Sequence, residues 1–182
     1  MKFNCTNHLS QEHKRILRAI YVLEAMAERA RTGRIPEAGD VEKLLNFFKG
    51  FADEHHQGKE ESVLFPALNR ASDAVTAAPL RHMMFEHEQE RSLVSGLEDS
   101  LRTRRNTEFA YYAGRLADQL SNHIYKEENI LFDLVERTIS PETDGVLTLE
   151  MIACDEALTS GKYDAFVQIV NDLEWKYLGK AA

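Results

Sequence analysis

Apolar side chains recur at helical spacing through Leu9, Ile16, Leu17, Ile20, Leu23 and Met26, and the pattern stops at Thr32 and Gly33. A second such pattern follows Pro36, with Asp40 as its expected N-cap. It carries Val41, Leu44, Leu45, Phe48 and Phe51 through His56 and Glu60 to about Asn69. Gly58 marks a point where this helix can loosen. Pro79 suits the first turn of a third helix that runs through His87, Leu93, Val94, Leu97 and Leu101 to about Arg104. A fourth is expected from Asn106 or Thr107 to about Ile139, closed by Ser140 and Pro141. No segment shows the period-two alternation of a half-buried strand. The predicted fold is therefore all-α, an up-down-up-down antiparallel four-helix bundle over residues 1–140.

Residues 141–182 are expected to add a helical extension. From Thr143 to Leu178 the apolar faces are Leu147, Leu149, Met151 and Ile152, then Phe166, Val167, Ile169, Val170, Leu173 and Trp175, with a break at Ser160 and Gly161. Loose apolar helices are rarely left exposed, which favours packing on the bundle over a subunit contact.

Polar residues inside these apolar patterns carry the chemistry. His56, Lys59, Glu60, Glu61, Leu64 and Phe65 return at the same spacing as His123, Lys126, Glu127, Glu128, Leu131 and Phe132, so both stretches read H-x-x-K-E-E-x-[VI]-L-F. Four residues on a helix place each histidine and its glutamate on one face. A shorter echo precedes each copy, Glu12 with His13 and Glu86 with His87. In an antiparallel bundle, His13, Glu60, His87 and Glu127 all fall roughly 15 Å from one end. A single H-x-x-x-E is more often a solvated polar pair. Two copies followed by apolar residues that turn them inward would bury costly unpaired groups. Four histidines and two glutamates instead suit a pair of cations, with imidazoles in terminal positions and carboxylates able to bridge. Nitrogen and oxygen donors without thiolate favour iron, manganese or zinc.

Composition narrows the partners. The 182 residues are long enough for one core without disulfides, and a net charge of −8 argues against nucleic acid. Arg102, Arg104 and Arg105 form the one basic knot and read as a solvated helix end. Cys5 and Cys154 make no C-x-x-C, so iron–sulfur, structural zinc and c-type haem motifs are absent. A reducing cytoplasm is the expected compartment, with no signal segment and no membrane span.

The order H, H-x-x-x-E, H, H-x-x-x-E on four helices resembles the hemerythrin-like family, in its bacterial form the HHE cation-binding domain, over about residues 6 to 140. The resemblance implies that His13, His56, His87 and His123 are terminal ligands and that Glu60 and Glu127 bridge two non-haem irons, with Fe–Mn or another divalent pair as variants. It also implies a small diatomic or peroxide ligand, O2, NO or peroxide. The oxygen-carrying hemerythrins have H-x-x-x-H on the third helix, where Met83 precedes His87 here, and H-x-x-x-x-D in the last motif. One fewer histidine leaves an additional open position, which turns the expectation from reversible O2 carriage toward stress response, iron-centre repair or sensing.

Further side chains are read around that set. His82 lies about 140° around an ideal helix from His87 and would need a π-bulge to ligate. His55 and His8 are expected at the surface or behind the ligands. Glu12, Glu86, Glu61 and Glu128 are candidates to accept the second imidazole N–H, Lys59 and Lys126 are expected as solvated flanks, and Tyr125 as a core side chain.

Two functions stay open at this point. One is a di-iron protein that binds or senses O2, NO or peroxide, read by a redox or signalling partner. The other is a di-iron enzyme that reduces NO or peroxide or donates iron to damaged centres, with electrons from elsewhere. Whether the chain is an enzyme, and whether it is a monomer or homodimer, the sequence leaves open. A ferritin-like oxidase would need E-x-x-H pairs, and no histidine here has glutamate three residues before it.

Overall fold

The computed structural model describes residues 4–34, 36–71, 77–158 and 161–179. Six helices account for nearly all of them: α1 (Asn4–Arg31), α2 (38–71), α3 (Ala77–Arg102), α4 (106–138), α5 (Pro141–Ala157) and α6 (Lys162–Leu178). The first four form the antiparallel bundle, in which α1 adjoins α2 and α4 while α3 adjoins the same two helices. Among the described residues no helix is long and apolar enough to cross a membrane.

Helix ends follow local chemistry. Gly33 takes φ 78° past the end of α1, where its N–H reaches Ala30 O at 3.1 Å and Arg34 N–H reaches Arg29 O at 2.8 Å. That pair of bonds satisfies carbonyls the helix leaves unpaired. The same closure ends α3 with Arg104 in the left-handed region, φ 54°, so the expected basic helix end is a tight reversal.

α2 begins at Ala38 rather than after Asp40, and its N-cap residue Glu37 makes no side-chain cap. Asp40 ties down the extension instead, accepting from Tyr177 Oη at 2.9 Å and pairing with Lys176 Nζ at 2.6 Å. The predicted loosening at Gly58 is more extensive than one residue: Phe48–Gln57 and Glu60–Leu64 wind as π-helix, as does Glu127–Leu131 in α4. Such wide turns commonly mark functional stretches, and here they coincide with the repeated motif. Ser140 serves α5, accepting from Thr143 N at 3.3 Å, with Pro141 opening the helix.

The extension folds back on the bundle. α5 and α6 both lie against α1, and the turn between them contains Gly161 at φ 82°; Ser160 falls outside the described residues. Asp144 accepts the backbone N–H groups of Cys5 at 2.9 Å and Asn4 at 3.1 Å, so α5 caps the start of α1. Phe166 of α6 lies over Gly50 so closely that a β-carbon there would come within 2.6 Å of its ring.

The apolar interior is in two parts. The larger gathers Ile16, Ile20, Leu23, Phe47, Phe51, Leu116 and Phe166 among others, and the smaller gathers Leu9, Leu64, Leu68, Phe132, Val135 and Met151. Between them in each long helix lies the polar layer of histidines and glutamates.

Candidate metal centre

All six sequence-predicted ligands are buried in that layer: His13 from α1, His56 and Glu60 from α2, His87 from α3, His123 and Glu127 from α4. They form two overlapping groups, His13, His56, Glu60 and Glu127, and Glu60, His87, His123 and Glu127, each with its donor atoms within 4.8 Å of one another. Both glutamates belong to both groups, which is the arrangement of two ions sharing two carboxylates.

The donor atoms fit ions. His13 Nε2 lies 3.1 Å from Glu127 Oε2, His123 Nε2 3.2 Å from Glu127 Oε1, His87 Nε2 3.4 Å from Glu60 Oε2, and His56 Nε2 3.6 Å from Glu60 Oε1. Donors at right angles around an ion with bonds of about 2.1 Å stand about 3 Å apart. Both oxygens of Glu60 and of Glu127, with His13 Nε2 and His56 Nε2, are fully buried without a hydrogen-bond partner. Buried polar atoms are almost always satisfied, so this concentration of unsatisfied acceptors at one point is the strongest sign of a cation site.

The other nitrogen of each imidazole is occupied. His13 Nδ1 meets Glu128 Oε1 at 2.8 Å, His123 Nδ1 meets Glu86 Oε2 at 3.0 Å, His87 Nδ1 meets Glu61 Oε1 at 2.7 Å, and His56 Nδ1 meets Glu12 Oε2 at 2.9 Å. Donation of each Nδ1–H to a carboxylate fixes the tautomer that leaves Nε2 as a lone pair and makes it more basic. These contacts run α1 to α4, α4 to α3, α3 to α2 and α2 to α1, a closed ring around the bundle. Adjacent residues stand about 100° apart on a helix, which is why Glu60 faces the interior while Glu61 reaches the next helix. The phenylalanine ending each motif stacks on an imidazole of the other repeat, Phe132 on His13 with centroids 5.7 Å apart and Phe65 on His87 at 5.8 Å.

Electrostatics follow from burial and pairing. Burial opposes protonation of His13, but Glu127 and Glu128 outweigh it and hold the group up at about 9. His87 and His123 are raised by neighbouring carboxylates against the same burial. Glu86, despite desolvation, is held down at about 2 by His123 and Lys126, and Glu12 and Glu61 are likewise lowered by their basic partners. Glu12, Glu61 and Glu86 are thus ionised acceptors.

Of the flanking expectations, those for Lys59, Lys126 and Tyr125 need correction, while His82, His55 and His8 lie where the spacing placed them. Lys59 is not a solvated flank: it is 1% exposed, with Nζ 2.5 Å from Glu12 Oε1 and 2.7 Å from Asp155 Oδ1. Lys126, half-buried, pairs with Glu86 in the same way. Their helix face turns toward the neighbouring helix because the outer glutamates need cations. Tyr125 is 63% exposed rather than in the core, since it points away from the ligand face of α4. His82 joins neither ligand group: α3 stays regular here, and His82 Nε2 lies 3.1 Å from Glu86 Oε1 at the surface. His55 is buried beside Glu12 and Asp155, and His8 contacts Asp155 at 2.9 Å.

Sequence reasoning missed Glu90, Gln57 and Asp155. Glu90 is buried one turn beyond Glu86, accepts from Gln57 Nε2 at 2.5 Å, and leaves its other oxygen unpaired, while burial pushes its carboxyl up to about 7. The signal was present in the four-residue step from Glu86. Gln57 and Glu90 also line a cleft of about 270 Å³ among α2, α3 and α4, with apolar walls from Phe48, Ala52, Val94, Leu116 and Leu120 and charged residues Lys49, Asp53, Arg91 and Glu98 beside them. Asp155 had no signal, because its partners come from α1 and α2.

Residues 5–135 match a protein-family model described as the hemerythrin HHE cation-binding domain. The iron-sulfur cluster repair protein DnrN of Neisseria gonorrhoeae is 33% identical over 85 residues, covering 42% of this chain and 54% of that protein. A probable iron-sulfur cluster repair protein of Haemophilus influenzae is 32% identical over 88 residues, covering 44% of this chain and 40% of that protein. The chain spans about half the length of the curated relatives it matches.

Proposed function

Because this chain belongs to the hemerythrin HHE cation-binding domain family, we propose that it is an iron-handling protein that holds two non-haem irons in the histidine–glutamate layer and yields iron for the repair of damaged iron–sulfur centres. The observation that supports this most directly is the set of buried, unpartnered acceptors on Glu60 and Glu127, shared by both ligand groups. The resemblance to iron-sulfur cluster repair proteins points in the same direction.

His13, His56, His87 and His123 would supply one imidazole pair to each ion, and Glu60 and Glu127 would bridge them. An iron pair supplies Lewis acidity and one-electron chemistry at such a site. The ring of Glu12, Glu61, Glu86 and Glu128 orients the imidazoles and takes up their positive charge. Phe65 and Phe132 exclude water from one side of the layer. Because nitrogen donors must be deprotonated to bind, protonation of the imidazoles provides a route for iron to leave.

A second reading, binding of O2, NO or peroxide, has an observation of its own. Each group offers four protein donors, fewer than six-coordinate iron takes, and a cleft lined by Gln57 and Glu90 lies beside His123, whose Nδ1 is 3.9 Å from Glu90 Oε1.

The deciding experiment reconstitutes the chain with Fe(II) under anaerobic conditions, then mixes it with an iron–sulfur protein carrying a reduced [3Fe–4S] cluster, which takes up one Fe(II) to become [4Fe–4S]2+ with no change of electron count. About two irons per chain, transferred to rebuild the cluster, are expected. Failure of His56→Ala/His123→Ala to differ from wild type in iron content would overturn the site. Two bound irons with no transfer would overturn donation, and spectral changes on adding NO, O2 or peroxide would then favour the second reading.

A further inference from the structure

The two halves of the centre are built alike but anchored differently. In the first repeat Lys59 holds Glu12, and Glu12 holds His56; in the second Lys126 holds Glu86, and Glu86 holds His123. The side chains behind these lysines break the symmetry. Lys126 is partly exposed, and the other basic group on Glu86 is the exposed His82. Lys59 is sealed from solvent and surrounded by Glu12 Oε1 at 2.5 Å, Asp155 Oδ1 at 2.7 Å, His55 Nε2 at 3.1 Å and His8 Nε2 at 3.4 Å. Asp155 belongs to α5, in the extension that lies beyond the family-matched residues 5–135.

Resting on the dinuclear reading above, we propose that Asp155 and Lys59 are positioning residues through which the C-terminal extension sets the hold on the metal position of His13 and His56, and not on that of His87 and His123. The physical chain is short. A carboxylate that must direct one imidazole needs its second oxygen fixed, and in a water-poor interior the Lys59 ammonium at 2.5 Å, with His55 Nε2 at 3.2 Å, fixes that of Glu12. A buried ammonium in turn needs more negative charge than Glu12 can supply while Glu12 also serves His56. Asp155 supplies it, and α5 is held in place by its cap on α1. Loss of Asp155 lets Lys59 draw toward water, Glu12 follows, and His56 loses its orientation. Changes to carboxylates behind metal-bound histidines typically weaken binding 10–100-fold.

The test uses the full chain loaded with 57Fe, as wild type, Asp155→Asn, Asp155→Glu, Lys59→Met and Lys126→Met. Iron release to a chelator and the Mössbauer spectrum are recorded, with circular dichroism to check the fold. Asp155→Asn is expected to speed release of one iron of the two by about 10–100-fold, to shift one quadrupole doublet and leave the other, and Asp155→Glu is expected to restore both. Lys126→Met should act on the other iron. Equal acceleration of both irons, or release from Asp155→Asn matching wild type, overturns the proposal. Wild type that takes up no iron overturns the dinuclear reading and this inference together, whereas wild type with two irons and an unaltered Asp155→Asn overturns this inference alone. Should Lys59→Met fail to fold, Asp155→Asn decides, because its side chain is partly exposed and its replacement opens no cavity.

Discussion

His13 and Glu128 meet at 2.8 Å although 115 residues separate them, one in the first repeat and the other in the second. His87 reaches back from the second repeat to Glu61 of the first at 2.7 Å. Each repeat thus orients a histidine of the other, and neither half builds its side of the histidine–glutamate layer alone.

That exchange predicts which outer residues matter. Glu128→Ala and Glu61→Ala should each lower iron affinity by about 10–100-fold while the protein stays folded. Competition titration against a chelator of known affinity measures this, and variants that bind like wild type would show the outer carboxylates to be bystanders.

Acidity should act with opposite sign on the metal-free and metal-loaded protein. Against the effect of burial, Glu127 and Glu128 raise His13 from 6.5 to about 9. In the metal-free protein its stabilisation is fully present below 6.5 and is lost as pH rises through about 9. Metal must displace that proton from Nε2, so affinity should rise over the same window and uptake near neutrality should release protons. Thermal melts and an unbuffered titration would check both, and an affinity constant across the window would contradict the assignment of His13.

Metal should stabilise the fold, and the bridging carboxylates should be required for it. At free metal about a hundredfold above Kd, binding adds about 2.7 kcal/mol. Wild type should show that gain in Tm with iron or a redox-inert divalent substitute, and Glu60→Ala/Glu127→Ala should show none. Equal gains in both proteins would place the bound metal elsewhere.

One close approach in the docking of α6 leaves no room for a larger side chain. A β-carbon at Gly50 would lie 2.6 Å from the Phe166 ring, so Gly50→Ala should destabilise by about 1–3 kcal/mol through forced repacking. Denaturant unfolding would measure it, and relief in Gly50→Ala/Phe166→Leu would identify the clash as the cause.

The helices and the six central residues were legible because both depend on local spacing. Period-four placement of His56 with Glu60 and of His123 with Glu127 puts each pair on one face, and the following Leu and Phe turn that face inward. Asp40 misled, because an acidic residue before an apolar run has the look of a cap, and only the arrival of Tyr177 and Lys176 from the far end of the chain gives it another role. Lys59 misled for the same reason: lysine is rarely buried unless paired, and its partners Glu12 and Asp155 lie 47 and 96 residues away.

The sequence by itself determined the helical class, the two-fold repeat and which six histidines and glutamates meet in the buried layer, since helical periodicity fixes which side chains share a face. Tertiary structure alone decided how the carboxylates close a ring around the imidazoles, that Glu90 lies buried beside them, and that Asp155 reaches Lys59 behind Glu12. Those contacts join different helices, and their energies come from burial and charge pairing that exist only once the helices have come together.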